Sequence, residues 1–366
     1  MTKFAYRLIF IVLLIAIIGI ITIYSSNMDG TYASEVPLYL RQIIWVFFGL
    51  ICLLGISHIS YRRLWDGAYL FYIIGIIFLL IVAFSGMVRL GAQRWLKIFW
   101  FSFQPSELMK LILVIFLARY FSKPGLGLRR DVQNWGFTRA VLIPFAFICL
   151  PVFLILNQPD LGTALFIFFI FIAMLFIAQV NFKFILFILL GIVLISPVFW
   201  QFLKDYQRTR LLVFINPNAD PLGAGYTVIQ SKIAVASGGL FGKGWLEGSQ
   251  SQLQFLPESH TDFIFATFAE QWGFVGSLVL LLLYYLLIRY ALKLAQRTPD
   301  YFGRLLAGGI ALTLSIQILI NIAMTIGLAP VVGIPLPLLS YGGSCLLVTF
   351  LSLGILINIE KRLFFK

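Results

Sequence analysis

The chain has 366 residues, 61% of them hydrophobic and only 11% charged, with 27 Lys and Arg against 14 Asp and Glu. Soluble domains run at roughly 45–50% apolar and roughly 25% charged, so this apolar excess excludes a water-soluble globule and points to a polytopic membrane protein. Three scattered cysteines and two histidines exclude a disulfide framework, a histidine-rich metal centre and a haem-binding bundle.

Lys3 and Arg7 precede an apolar stretch, Leu8 to Tyr24, with no small-residue cleavage site after it, which predicts an uncleaved first helix. Runs long enough to cross a hydrocarbon layer of roughly 30 Å occur near 8–25, 38–57, 67–85, 105–121, 140–156, 161–178, 184–203, 263–288, 305–327 and 338–357. They predict an all-α protein of ten transmembrane helices forming one domain over 1–366. Only Asn157-Gln158-Pro159-Asp160 separates the fifth and sixth runs, and Pro144 and Pro151 interrupt the fifth.

Positive residues set the orientation. With the amino terminus inside, 17 of the 27 Lys and Arg are inner, among them Lys123, Arg129, Arg130 and Lys366. The inner acids are Asp66, Asp131, Asp300 and Glu360, so the inner side carries the whole excess of +13; the outer side, with Asp29 and Glu35 among its acids, is neutral. The charge is a topology signal that places both termini in the cytoplasm and removes a nucleic-acid reading. One long segment, 204–262, then lies outside between the seventh and eighth spans. Asn216-Pro217, Asp220-Pro221 and several glycines mark turns there, and Tyr226 to Ala236 is expected to form a short helix on the membrane surface.

Acids at membrane depth are costly and need a reason. Glu107, Asp160, Asp262 and Glu270 belong to the outer ends of the fourth, sixth and eighth spans, whose N-termini face out. Pro105 and Pro159 suit first helical turns, and Ser259-His260-Thr261-Asp262 reads as a capping box. The acids therefore either complement helix dipoles, at roughly 0.3–1 kcal/mol each, or belong to a site. Their company favours a site: Lys110 lies one turn after Glu107, Arg208 and Arg210 open the outer segment, and Arg89, Arg94 and Lys97 flank the connection after the third span. For the cations the plain alternative is snorkelling to headgroups, which suits Arg89 and Lys97 better than Lys110. The lead-in to the last span, Gly333-Ile334-Pro335-Leu336-Pro337-Leu338-Leu339-Ser340-Tyr341-Gly342-Gly343-Ser344, joins helix-breaking prolines to glycines that serve either helix packing or close approach of a ligand. An open helix N-terminus there, with Ser340, suits a phosphate. The sum is an outward pocket for an anionic, phosphate-bearing molecule anchored in lipid.

Two motifs fail. Gly238-Gly239-Leu240-Phe241-Gly242-Lys243-Gly244 is one residue short of a phosphate loop and has Gly244 where Ser or Thr is needed. His260 beside Asp262 lacks a positioned nucleophile and reads as a surface histidine at a helix start.

Together with the Arg89-Leu90-Gly91-Ala92-Gln93-Arg94-Trp95, Phe103-Gln104-Pro105-Ser106-Glu107, Gln158-Pro159-Asp160-Leu161-Gly162-Thr163 and Leu256-Pro257-Glu258-Ser259-His260-Thr261-Asp262-Phe263 segments, that lead-in resembles the SEDS family (shape, elongation, division and sporulation). Pro330-Val331-Val332-Gly333 resembles its elongation branch more than its cell-division branch, and Cys345 stands where serine is common. The resemblance implies a peptidoglycan glycosyltransferase that polymerises lipid II on the outer face of the bacterial cytoplasmic membrane. It implies lipid II and the growing glycan chain as ligands, and a class B penicillin-binding protein and other elongation-complex membrane proteins as partners. It makes Asp262 the essential residue and ties Glu107, Lys110 and Asp160 to function. The expectation is that Asp262 is the general base and that Lys110, Arg94, Arg208 and Arg210, with Ser340, Gly342 and Gly343, hold the anionic substrate. A divalent cation, Mg or Mn, on Glu107 and Asp160 is a candidate cofactor; no nucleotide, haem or flavin is expected. The rivals are a lipid II flippase, which needs polar groups exposed alternately to both sides, and the cell-division paralogue with the same chemistry.

Overall fold

The computed structural model describes residues 3–26, 36–89, 92–98, 101–122 and 132–363. Asp29, Glu35, Lys123, Arg129, Arg130, Asp131 and Lys366 of the charge count, and Leu90 and Gly91 of the first motif, lie outside the described residues.

Each apolar run lies in a helix: α1 (Lys3–Ser25), α2 (Leu38–His58), α3 (Arg62–Ser85), α4 (Pro105–Phe121), α5 (Ile143–Asn157), α6 (Leu161–Ile177), α7 (Phe182–Phe202), α11 (Ile264–Arg297), α12 (Tyr301–Thr325) and α13 (Gly343–Leu363). The outer segment adds α8 (Asp205–Ile215), α9 (Ala224–Ser237) and the single turn α10 (Ser249–Gln252). Among the described residues eight helices are long and apolar enough to cross a membrane, α5 being counted with the π turn Thr138–Leu142 before it. The 17 residues of α6 carry no charge, and the 17 of α4 include Glu107 and Lys110.

Burial sorts the helices. α4 is buried almost all round, and 83% of the spanning window of α13 and 61% of that of α12 are buried, against 6% for α7. The core is therefore α4, α12 and α13, and α7 stands at the rim facing lipid. Small residues let the central helices close up: a Cβ on Gly343 would lie 2.3 Å from the Trp45 ring of α2, and one on Gly49 2.3 Å from the Phe350 ring of α13.

Pro144 falls in the first turn of α5, directly after the π turn Thr138–Leu142. Pro151 lies inside the helix without ending it, contrary to the expected interruption. The carbonyl four residues back, Phe147 O, accepts instead from the Tyr72 hydroxyl at 2.7 Å.

Two features were not anticipated. The connection after α3 is an antiparallel meander, β1 (Met87–Arg89), β2 (Ala92–Ile98) and β3 (Phe101–Phe103), with Val88 opposite Gln93 and Lys97 opposite Ser102. And α11 is broken at Gly273 (φ 64°, ψ −162°). The glycine-rich stretch 238–244 fills the break: Lys243 N and Gly244 N donate to Glu270 O and Gln271 O at 3.0 and 3.2 Å, while Phe274 N and Val275 N donate to Gly239 O and Leu240 O at 2.9 and 3.0 Å. A Cβ on Gly242 would sit 2.1 Å from Gln271 O, so backbone apposition accounts for the glycine there. The helix expected on the membrane surface is present as α9, but its stripe Gly225, Val228, Ser231 and Ala234 is buried in the bundle, and Ser231 Oγ donates to Thr325 O at 2.7 Å.

Candidate active site

Asp262 is half-buried in a turn just ahead of α11. The capping box expected around it does not form, because α11 begins at Ile264 and Phe263, which makes no side-chain cap, is its N-cap residue. The carboxylate is instead held out of the helix by three ties on its turn. Ser340 Oγ donates to Thr261 O at 2.7 Å, Tyr341 N donates to His260 O at 2.9 Å, and Asn321 Nδ2 of α12 donates to Asp262 O at 3.0 Å. Asn321 Nδ2 also donates to Ile334 O at 2.8 Å, so a single amide joins the turn of Asp262 to the lead-in of α13. Gly333, at φ 71°, lies close enough that a Cβ would stand 3.4 Å from Asp262 Oδ2. The left-handed backbone calls for glycine at that point.

Two arginines on other elements act electrostatically on this carboxylate. Arg94 on β2 forms an ion pair with Asp160 at 3.7 Å and donates to the carbonyls of Gln158 and Pro159. The Tyr206 hydroxyl of α8 donates to the same Pro159 O at 3.2 Å, which draws α8 onto the start of α6. Arg210 on α8 donates to Val331 O at 3.2 Å. Asp160 is the N-cap of α6, accepting from Thr163 N at 3.1 Å and Thr163 Oγ1 at 2.9 Å. Glu258 completes the group and accepts from Thr261 Oγ1 at 2.8 Å.

Burial pushes the Asp262 carboxyl up to about 6, with the negative charge of Glu258 adding to the rise, Arg210 and Arg94 opposing it, and Asp160 adding a further increment. An aspartate poised there accepts a proton far better than one at the ordinary value of about 3.9. His260 is buried, not a surface residue; desolvation lowers its pKa, against the pull of Glu258.

The other expected site residues are placed differently. Glu107 and Lys110 form a buried pair in α4, with Nζ 2.8 Å from both carboxylate oxygens and 4.8 Å from the Phe166 ring centroid. They line a cavity of about 20 Å³ with Gln317 and Cys345, room for one water, beneath the lead-in of α13. Arg208 does not join the Asp262 group: its Nε and Nη2 donate to Trp200 O and Gln201 O at 3.2 and 2.8 Å, capping the end of α7. The Ser340 hydroxyl is spent, accepting from Leu336 N at 2.8 Å while donating to Thr261 O. α13 begins only at Gly343, where the missing side chain serves packing on Trp45; Gly342 has open space beside it. Glu270, expected at an outer helix end, is buried in the break of α11, where its Oε1 accepts from Lys243 Nζ at 2.8 Å, Gln250 N at 3.0 Å and Ser249 Oγ at 3.2 Å.

The donor set does not suit a divalent cation at Glu107 and Asp160. Both oxygens of the first are taken by one ammonium and both of the second by Thr163, with Arg94 beside it. Among the described residues no three His, Cys, Asp or Glu side chains form a metal-holding group. What the arrangement offers is a raised carboxylate within electrostatic reach of two guanidiniums: a proton acceptor near cationic groups.

Residues 6–363 match the family model of the cell cycle proteins FtsW, RodA and SpoVE. The peptidoglycan glycosyltransferase MrdB of Escherichia coli (strain K12) is 40% identical over 356 residues, 97% of this chain and 93% of that protein. A solved structure described as the structural coordination of polymerization and crosslinking by a peptidoglycan synthase complex aligns with a TM-score of 0.81 at 31% identity, over 99% of this chain and 98% of that one. The rod shape determining protein RodA of Thermus thermophilus aligns with a TM-score of 0.71 at 28% identity, over 98% and 97% of the two chains.

Proposed function

The chain belongs to the FtsW, RodA and SpoVE family and is a peptidoglycan glycosyltransferase of the elongation type; from that premise we propose that Asp262 is the general base of glycan polymerisation. The acceptor is lipid II. Its attacking sugar hydroxyl gives its proton to Asp262 as the oxygen bonds to the anomeric carbon of the growing chain. The bond to polyprenyl pyrophosphate breaks with the electron pair leaving on the phosphate oxygen, and a single displacement inverts the anomeric centre. The departing group is already a stable anion, so no second carboxyl is needed to protonate it, unlike in glycosidases. Arg94 and Arg210 are placed to stabilise its charge, and Arg208 drops out of that role. The raised Asp262 carboxyl, with Arg210 and Arg94 in electrostatic reach, supports this reading.

The multi-pass chain has ten spans in this reading, with both termini in the cytoplasm and Asp262 facing outward, as the distribution of positive charge directs. A class B penicillin-binding protein is the transpeptidase partner, a role supported by the likeness to a synthase complex that couples polymerization to crosslinking. Glu107 and Lys110 hold α4 in register beneath the site rather than touching the pyrophosphate.

The test supplies purified protein and its transpeptidase partner with lipid II in detergent and follows glycan chains. Asp262→Asn is expected to fold and abolish polymer; a folded variant that polymerises at the normal rate removes Asp262 as base. Absence of polymer from the wild-type protein in detergent, where no two compartments exist, leaves the transporter reading in its place.

A further inference from the structure

The end of the bundle remote from Asp262 holds a second concavity, of about 960 Å³, a volume at the upper end of the range for bound small molecules. α6 runs 17 residues away from Asp160, about 25 Å at the helical rise, before its last residues reach this cavity. The first turn of α7, the last turns of α11 and the first turns of α12 close the other sides.

Its lining is graded along the membrane normal. Gln133, Gln179, Asn181, Gln296 and Arg304 ring the mouth at the helix ends. Phe176, Ile185, Leu292 and Leu312 form the interior, and Leu312 lies eight residues beyond Arg304 on α12, about 12 Å deeper. Arg304 is held through Nε, which donates to Thr298 O at 3.2 Å, and among the described residues its terminal nitrogens remain for an anion. No carboxylate lines the cavity among the described residues.

One fixed guanidinium, a ring of neutral amides and an apolar floor match a molecule with a single phosphate, a hydroxyl-bearing head and hydrocarbon below it. We infer that this cavity binds an anionic phospholipid from the leaflet opposite Asp262, with its phosphate on Arg304, its head hydroxyls on the amides and an acyl chain against Phe176, Ile185 and Leu312. It is separate from the glycan-forming site and does not depend on how that site works.

The test incubates the full-length protein in detergent with graded mixtures of phosphatidylglycerol and phosphatidylcholine and counts retained lipid by native mass spectrometry. The wild-type protein is expected to keep phosphatidylglycerol selectively, and Arg304→Gln to weaken that retention about tenfold, the loss of one charge-assisted contact. Leu312→Trp, which fills the floor without touching the charge, is expected to lower retention as well, and glycan polymerisation by each variant reports that it is folded. Equal retention of the two lipids by the wild type, or unchanged phosphatidylglycerol on a folded Arg304→Gln, overturns the inference. So does displacement of the lipid by soluble glycerol 3-phosphate, which makes the site one for a free phosphate ester.

Discussion

The rate of polymerisation is expected to climb through pH 6 and to level off above pH 7, because Asp262 must be ionised to accept a proton and its carboxyl is raised to about 6. With a single group of that pKa, about one-tenth of the enzyme is competent at pH 5 and about nine-tenths at pH 7, a roughly tenfold span in kcat/KM. Its neighbours give the profile a signature that general instability at low pH lacks. Glu258 raises the carboxyl, so Glu258→Gln shifts the limb to lower pH; Arg210 and Arg94 lower it, so Arg210→Gln and Arg94→Gln shift the limb to higher pH. The assay is initial-rate polymerisation of lipid II in detergent between pH 4.5 and 8, with circular dichroism at each pH to exclude unfolding. A flat profile from pH 5 to 7, or movement of the limb in one direction for all three variants, refutes the assignment of Asp262 as the titrating base.

The same carboxyl governs stability. Because its folded pKa lies above the ordinary value of 3.8, its contribution is full below about pH 4 and lost as the pH rises through about 6, so Asp262→Asn should melt higher than wild type at pH 7.5, by on the order of 3 kcal/mol, and match it at pH 4. Asn321→Leu strips donors from two carbonyls that meet at the site and should lower kcat about tenfold or more with KM nearly unchanged, measured by steady-state polymerisation. Lys243→Met leaves Glu270 buried and unpaired and should destabilise by roughly 3–5 kcal/mol in thermal melts, while the double change with Glu270→Leu regains much of the loss. Arg208→Ala should leave KM for lipid II within about twofold of wild type, whereas Arg94→Ala and Arg210→Ala each raise it about tenfold, one charge-assisted contact apiece.

Much of this was legible from residue order. Helix positions follow from apolar run length alone, and the cost of charge near the membrane draws attention to Asp262 and Asp160 among four acids, while the choice of Asp262 as base rests on the family resemblance. Spacing settles Arg208 against Arg210 only after the fact: two residues apart on a helix is about 200° of rotation, so both cannot face one carboxylate. Asn321 escaped notice although it left a signal, an amide in the midst of an apolar span, where a polar side chain needs a partner. Its partners are the carbonyls of Asp262 and Ile334, and no local pattern reveals a tie 59 residues long. The break in α11 escaped for the same reason, since the backbone that fills it comes from 238–244. The meander at 87–103 is too short for its alternation to stand out between two helices.

These long-range ties also bear on the choice between catalyst and carrier. A carrier must expose its site to each side in turn, which requires one group of helices to rock against another. Here the turn of Asp262 is bonded to α12 through Asn321 and to the lead-in of α13 through Ser340 and Tyr341. The carbonyl of Ser340 accepts in turn from Gln42 of α2 at 3.1 Å. α12 and α13 are the buried centre of the bundle, so any motion that carried Asp262 across the membrane would have to break the core itself. A carboxylate fastened to the buried centre of the bundle is arranged to meet its substrate in a single geometry, and that is what a displacement at an anomeric carbon requires.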